Sequence, residues 1–161
     1  MPEPIRLVFD VHLFVNNVVG ADAQWPVVAE VPPGPGNPSA DAISIVFDNP
    51  GRFALFASPH IVRNTARVLR AAGLDEAFVG AYLTAVTEII AESGGDVRDP
   101  GAVLDLGSPD FEDNHILALA LAVDADIIVS DDADLTQLSP WRGRPILRPR
   151  DFVSQVLRFS R

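Results

Sequence analysis

Residues 127–134 read Ile127-Ile128-Val129-Ser130-Asp131-Asp132-Ala133-Asp134, an apolar run that leads directly into three acids. A similar junction stands near the start of the chain, where Ile5-Arg6-Leu7-Val8-Phe9 is followed by Asp10. A short apolar run bounded by polar residues is typical of a buried strand. Acids at the carboxyl ends of parallel strands meet in one crevice, where open α/β folds bind ligands. The two stretches therefore predict an α/β fold with an acidic site at one edge of its sheet.

Strands and helices are predicted to alternate along the rest of the chain. This alternation favours a three-layer α/β/α sandwich, in which helices cover both faces of a mainly parallel sheet. The predicted strands are residues 5–9, 53–57, 126–130 and 145–147, with a further short strand near Val97. The predicted helices are residues 11–19, 40–48, 59–72, 75–93 and 150–157, and one that starts at Ser108-Pro109 and continues to about Val123.

The composition predicts one soluble domain that spans residues 1–161. Of the 161 residues, 48% are hydrophobic, which is enough for a core. Residues 21–40 hold five prolines and two glycines and predict an exposed loop or insertion. The absence of cysteine excludes disulfides and thiolate chemistry. Neither a signal peptide nor an apolar run of the ~20 residues that a membrane span needs is evident. We therefore expect a cytoplasmic protein without a membrane partner.

The charges are divided unevenly between two segments. The net charge is −10, which argues against a nucleic-acid partner. The chain contains no lysine, so all of its basic residues other than the histidines are arginines. However, residues 139–161 hold six arginines and one acid, whereas residues 110–134 hold eight acids and no arginine. An acidic metal pocket beside a basic flank suits an enzyme that cleaves a polyanion, and Arg142, Arg144 and Arg148 are the predicted phosphate contacts. A solvated surface with a basic tail is the alternative.

Three acids are predicted to form the site. Asp10 and Asp132 follow predicted strands, and Asp113 precedes the apolar helical stretch 114–123. Carboxylates that gather in one crevice repel one another and have raised pKa values unless a cation lies among them. Oxygen ligands suit Mg²⁺ or Mn²⁺, so metal-assisted phosphodiester hydrolysis is the leading hypothesis. Each acid also has a local explanation: Asp10 as a helix cap, Asp113 as a partner of the helix dipole, Asp132 as a turn residue.

These motifs, in this order and spacing, resemble those of the PIN-domain nucleases. The resemblance covers nearly the whole chain except residues 21–40. It implies an α/β/α sandwich and an acidic Mg²⁺ or Mn²⁺ site that cuts RNA. It also implies an antitoxin protein as a partner, because many members are toxins of toxin–antitoxin pairs. A homodimer is a further assembly to test. The residues that carry it are Val8-Phe9-Asp10, Ser58-Pro59 to Val68-Leu69, Asp110-Phe111-Glu112-Asp113-Asn114, Ile128 to Leu135 and Arg144 to Phe152.

Carried over by position, the resemblance implies four metal ligands and two supporting hydroxyls. The ligands are Asp10, Asp113, Asp132 and the accessory Asp134. The hydroxyls are Ser58 and Ser130, which can also be explained as a helix cap and a strand-end hydroxyl. Asp110 and Asp131 are interpreted as solvated turn acids.

The chain departs from the family pattern at three positions. Val11 and His12 stand where Thr or Ser and then Asn usually follow the first Asp, and Asn64 stands in place of the second acid, a Glu. An amide oxygen can coordinate a cation but carries no charge, so we count Asn64 among the catalytic positions as a neutral ligand or hydrogen-bonding partner. A non-catalytic PIN module that binds RNA or protein is therefore the alternative function, and a structure-specific DNA nuclease is a third.

The histidines receive less weight as site residues. His12 is predicted to be partly buried and hydrogen-bonded, with a role as ligand or proton carrier as the alternative. His60 and His115 have no surrounding motif that suggests a site.

Overall fold

The computed structural model describes residues 2–19, 37–103 and 105–159. No helix in these ranges is both long and apolar enough to cross a membrane. The strands are β1 (Ile5–Phe9), β2 (Phe53–Phe56), β3 (Ile127–Val129) and β4 (Ile146–Leu147). The helices are α1 (Val11–Val19), α2 (Pro38–Asp48), α3 (Pro59–Ala71), α4 (Glu76–Ser93), α5 (Phe111–Ala122), α6 (Ala133–Thr136) and α7 (Pro149–Phe159).

The four described strands form one parallel sheet in the order β2-β1-β3-β4. Leu7 of β1 is opposite Leu55 on one side and Ile127 on the other, and all the residues from Leu7 to Phe9 are fully buried. A strand with continuous apolar sequence is stable only where helices cover both faces of the sheet. The predicted α/β sandwich is confirmed.

The strand order creates a crevice between β1 and β3. From β1 the chain crosses to β2 on one side, and it later returns to β3 on the other side of β1. Adjacent strands whose connections run in opposite directions leave an open crevice at their carboxyl ends. Asp10 and Ser130 directly follow these two strands, so the topology alone brings them to the same place.

The helices pack on the sheet through apolar side chains. α2 and α4 contact β2, α5 contacts β1, and α7 contacts β4. Phe152 of α7 makes edge-on ring contacts with Phe9 and Phe53 at centroid distances of 5.9 and 6.0 Å, and all three rings are almost fully buried. Large buried rings of this kind contribute about 1.5–3 kcal/mol each through burial alone. They fix the sheet beneath the crevice.

Several predicted boundaries are wrong in detail. The helix predicted to start at Ser108-Pro109 begins at Phe111, because the Asp110 side chain accepts a hydrogen bond from the amide of Glu112 and caps it. The short α6 was not predicted, and near Val97 there is a single bridge to Ala57 rather than a strand. Most of the predicted loop at 21–40 lies outside the described residues, but residues 38–40 already belong to α2.

Candidate metal centre

Asp10 is held at the carboxyl end of β1 by contacts with β3 and α1. Its amide donates to the carbonyl of Val129 at 3.0 Å. Its carboxylate accepts hydrogen bonds from the amide of Val11 at 2.6 Å and from Ser130 Oγ at 2.8 Å. The side chain is 6% exposed. A buried carboxylate with two donors is fixed in one orientation, so Asp10 presents its oxygens in a defined direction.

Ser130 links Asp10 to Asp132. Its hydroxyl is fully buried, donates to Asp10 and accepts from the amide of Asp132 at 3.0 Å. The Asp132 side chain in turn caps α6 by accepting from the amide of Asp134 at 2.9 Å. Asp132 is therefore both a turn residue that caps α6 and a residue of the crevice. Asp132 is half-buried and lines the cleft at this edge of the sheet.

Asp113 reaches the crevice from the first turn of α5. It is 5% exposed, and its carboxylate accepts a hydrogen bond from Ser108 Oγ at 3.2 Å. Helix N-termini favour negative charge, which explains why an acid is tolerated there. The cap at Asp110 sets where the helix begins and so places Asp113 on the side that faces the sheet edge.

The structure brings these three acids together. One carboxylate oxygen from each of Asp10, Asp113 and Asp132, the carboxylate triad, lies within 4.8 Å of the others. Oxygens of Asp110, Asp113 and Asp134 form a second such group, so Asp134 approaches the triad through Asp113. The triad lines a cleft of about 160 Å³. Asp110, interpreted from sequence as a solvated turn acid, lies at this cleft as well.

The pKa values of the triad are perturbed in the way that crowded carboxylates require. The pKa of Asp113 is raised to about 7 by burial first and then by repulsion from Asp132, Asp110 and Asp10. The pKa of Asp10 is also raised, chiefly by burial, while the hydrogen bond from Ser130 opposes the rise. A cation among these oxygens would relieve both the repulsion and the lost solvation. Three carboxylates without a nitrogen or sulfur donor suit a hard ion such as Mg²⁺ or Mn²⁺.

A model of the PIN domain matches residues 6–134, which contain all of β1 except Ile5, all of β3 and all members of the triad. The chain belongs to the PIN domain family. PIN domains are generally metal-dependent nucleases, and the acidic clusters of this chain are consistent with that chemistry. No curated protein shows significant sequence similarity to the chain.

Asn64, which the sequence resemblance places at the position of the second acid, lines the same cleft. Its Nδ2 donates to Glu112 Oε2 at 3.2 Å and lies 3.1 Å from His60 Nε2, and its Oδ1 accepts from Arg67 Nε at 3.3 Å. The amide is therefore engaged on both sides by neighbouring residues. Arg63, the other arginine beside Asn64, is exposed and does not line the cleft.

Three histidines in or beside the PIN cleft were missed or misjudged from the sequence. His60 and His115 were given no site, yet their rings stack at 3.8 Å and His60 Nε2 lies 2.6 Å from Glu112 Oε2. The hydrogen bond to His60 is the main reason that the pKa of Glu112 is lowered, and burial lowers the pKa of His115. His12 is exposed and lines the cleft, so the prediction of a partly buried histidine is wrong. The sequence did contain a signal for this group. Residues 60 and 64 are four apart on α3 and residues 112 and 115 are three apart on α5, so each pair lies on one face of its helix.

Some predicted site residues make structural contacts away from the cleft. They are Ser58 and two of the three predicted phosphate-binding arginines, Arg142 and Arg144. Ser58 caps α3 by accepting from the amide of Ile61 at 3.1 Å. Arg144 contacts Asp124 at 2.7 Å and the carbonyl of Ala125 at 2.8 Å, and its side chain is only 15% exposed. Residues 124 and 125 precede β3, so Arg144 lies at the edge of the sheet opposite the triad.

Arg142 and Arg148 lie at different edges of the PIN sheet. Arg142 is close in the chain to Arg144, and its guanidinium lies over the ring of Trp141, 4.9 Å from the centroid. Arg148 directly follows β4 and lies 3.4 Å from Asp131 Oδ1, on the triad's edge. Arg67, which sequence reasoning did not select, lines the cleft and is exposed. Arg67 therefore lies at the cleft and Arg148 on the same edge of the sheet as the triad, whereas Arg142 and Arg144 lie away from it.

Proposed function

We propose that this PIN domain is a Mg²⁺- or Mn²⁺-dependent endoribonuclease, and that it is the toxin of a toxin–antitoxin pair. The convergence of three carboxylates, two buried and one half-buried, at the carboxyl ends of β1 and β3 and at the start of α5 carries the first part of the proposal. The three carboxylates come from distant parts of the sequence, and their mutual repulsion in one cleft lowers the free energy of unfolding. Such a cost is explained if a bound cation offsets it.

In this proposal, the carboxylate triad would hold the cation and Asp134 would support it through Asp113. When bound, the cation would polarise the scissile phosphate and lower the pKa of a nearby water. Ser130 keeps the carboxylate of Asp10 oriented, and Ser108 does the same for Asp113. Asn64 would serve as a neutral hydrogen-bonding residue of the cleft, since its amide already bridges Glu112 and Arg67.

A non-catalytic PIN module that binds RNA or a protein partner is the second candidate. The amide of Asn64 favours it, because a neutral side chain at this position contributes no charge to hold a cation. A small antitoxin protein and a second copy of the chain remain the protein partners that we propose for either function.

Cleavage of an end-labelled single-stranded RNA tests the proposal. We expect Mn²⁺ or Mg²⁺ to be required and EDTA to stop cleavage, while DNA of the same sequence stays intact. RNA that is bound but never cut, with either metal, would favour the non-catalytic module. Cutting of the DNA alone would favour the DNA nuclease instead.

Arg67 and Arg148 are expected to contact RNA phosphates. Replacement of either by Ala should reduce the slope of log affinity against log salt by about 0.7, because one counterion fewer is released on binding. Fluorescence anisotropy with labelled single-stranded RNA in EDTA, where no cleavage occurs, measures this slope. Arg142→Ala is the matched control, since Arg142 lies toward the opposite edge of the sheet. An equal reduction of the slope in Arg142→Ala and Arg67→Ala would show that the arginines affect RNA binding only through the net charge of the protein.

A further inference from the structure

A second group of ligand atoms lies beside the carboxylate triad but shares no residue with it. It consists of His60 on α3 and of Glu112 and His115 on α5, which we call the histidine–glutamate cluster. One ligand atom from each of the three residues lies within 4.8 Å of the others. His60 and Glu112 also line the cleft, so the cluster stands at its mouth.

Several contacts hold the three side chains of the cluster together. The two imidazole rings are stacked with an interplanar angle of 10°, and the ring of Phe111 packs edge-on against His115 at 5.4 Å. Glu112 Oε2 lies 2.6 Å from His60 Nε2 and accepts from Asn64 Nδ2 at 3.2 Å. These contacts hold the three side chains of the cluster close together. The His60 side chain is 27% exposed and that of Glu112 is 60% exposed, so an ion can reach them from solvent.

The donor chemistry of the cluster differs from that of the triad. Two imidazoles and one carboxylate are a ligand set for Zn²⁺ and similar borderline ions, which bind nitrogen at about 2.0–2.1 Å and leave a fourth position open. Mg²⁺, which prefers oxygen, has little affinity for imidazole. The two rings are stacked nearly parallel, so binding of both imidazoles to one ion requires at least one ring to turn about its side-chain bonds until both nitrogen lone pairs point at the ion.

We propose that the histidine–glutamate cluster binds a Zn²⁺-class divalent ion, distinct from the ion of the carboxylate triad. Such an ion would join α3 to α5 across the mouth of the cleft. Because it would bind the folded chain and not the unfolded one, it would raise the free energy of unfolding with the logarithm of its concentration above the dissociation constant.

Titration of the whole chain with Co²⁺, a spectroscopic substitute for Zn²⁺, tests the proposal. Low-coordinate Co²⁺ with nitrogen ligands absorbs strongly in the visible range, whereas Co²⁺ in an octahedral oxygen site absorbs weakly. We expect strong absorption from the wild type in excess Mg²⁺, and its displacement by one equivalent of Zn²⁺. His115→Ala and His60→Asn should each weaken Co²⁺ binding at least about tenfold.

Two variants serve as controls for this titration. His12→Ala removes the third histidine of the chain, and Asp113→Asn removes a triad carboxylate; both should leave the strong absorption in place. Loss of the absorption in Asp113→Asn but not in His115→Ala or His60→Asn would overturn the proposal, because the ion would then belong to the triad. A wild type without strong absorption would also overturn it. Either result leaves the Mn²⁺- or Mg²⁺-dependent cleavage of RNA as a separate question.

Discussion

Asp113→Asn is expected to stabilise the metal-free protein at neutral and alkaline pH and to abolish its stabilisation by Mn²⁺. Asp113 has a pKa of about 7 in the folded chain against 3.8 for an ordinary Asp, so folding favours its protonated form. The wild type therefore loses stability as the pH rises from about 4 to about 7, and the whole penalty is present above pH 7. An amide at this position never ionises and avoids that penalty.

The size of this effect depends on the shift in pKa. A rise of about three pKa units corresponds to at most about 4 kcal/mol of unfolding free energy, and coupling to Asp132 and Asp10 reduces the part that one substitution recovers. Mn²⁺ at about 100 times its dissociation constant should stabilise the wild type by about 2.7 kcal/mol. That corresponds to a rise in Tm of about 5–10 °C. The variant should lose this rise and should cleave RNA at least about 100-fold more slowly.

Thermal unfolding of metal-free protein between pH 4 and pH 9, with and without Mn²⁺, measures both effects. Asp41→Asn is the matched control: Asp41 also lies in the first turn of a helix, α2, but is exposed and does not line the cleft. Asp41→Asn removes the same charge, and the same kind of interaction with a helix dipole, as Asp113→Asn. If Asp113→Asn keeps the Mn²⁺-induced rise in Tm, Asp113 is not a ligand.

Asn64→Glu is expected to tighten Mn²⁺ binding and to accelerate RNA cleavage. Asn64 lines the cleft, so a carboxylate there would add negative charge beside the triad. A charge near a partly desolvated cation contributes about 1–4 kcal/mol, and Arg67 next to it would offset part of this. We expect a dissociation constant about tenfold lower. The metal-free variant should melt at a lower temperature than the wild type, because the new carboxylate replaces an amide that donates to Glu112.

Asn64→Gln is the control for this substitution, since glutamine has the length of glutamate without its charge. Calorimetry of Mn²⁺ binding and cleavage of labelled RNA, side by side for wild type and both variants, give the comparison. Tighter Mn²⁺ binding in Asn64→Glu without cleavage by any of the three proteins would favour the non-catalytic module. An affinity for Mn²⁺ that is the same in all three would remove Asn64 from the site.

The fold and the triad could be predicted because their determinants are local in sequence. The apolar run before Asp10 and that before Ser130 and Asp132 define strands, and parallel strands bring the residues after their carboxyl ends to one edge of the sheet. Asp113 could be placed because a helix start is readable from polar residues before an apolar stretch. The exact start was missed by two to three residues, since both Ser108-Pro109 and Asp110 carry the sequence features of a cap.

The contacts between helices could not be predicted from the sequence. His60 and His115 lie on different helices, 55 residues apart, and they meet only because α3 and α5 both approach the carboxyl edge of the sheet. The sequence also predicted the wrong location for Arg144, for a related reason. A segment rich in arginine shows where positive charge is concentrated, but not which carbonyls and carboxylates the arginines contact. Asp124, its ion-pair partner, lies in the turn before β3, and that turn fixes Arg144 at the far edge.

The central claim is that the carboxylate triad binds a divalent cation. Crystals of the chain soaked in Mn²⁺ and measured for anomalous scattering test this claim most directly. We expect an anomalous peak among the carboxylate oxygens of Asp10, Asp113 and Asp132, and its loss in crystals of Asp113→Asn. A map of the soaked wild type with no peak at these oxygens, or with its peak only at residues outside the triad, would contradict the claim.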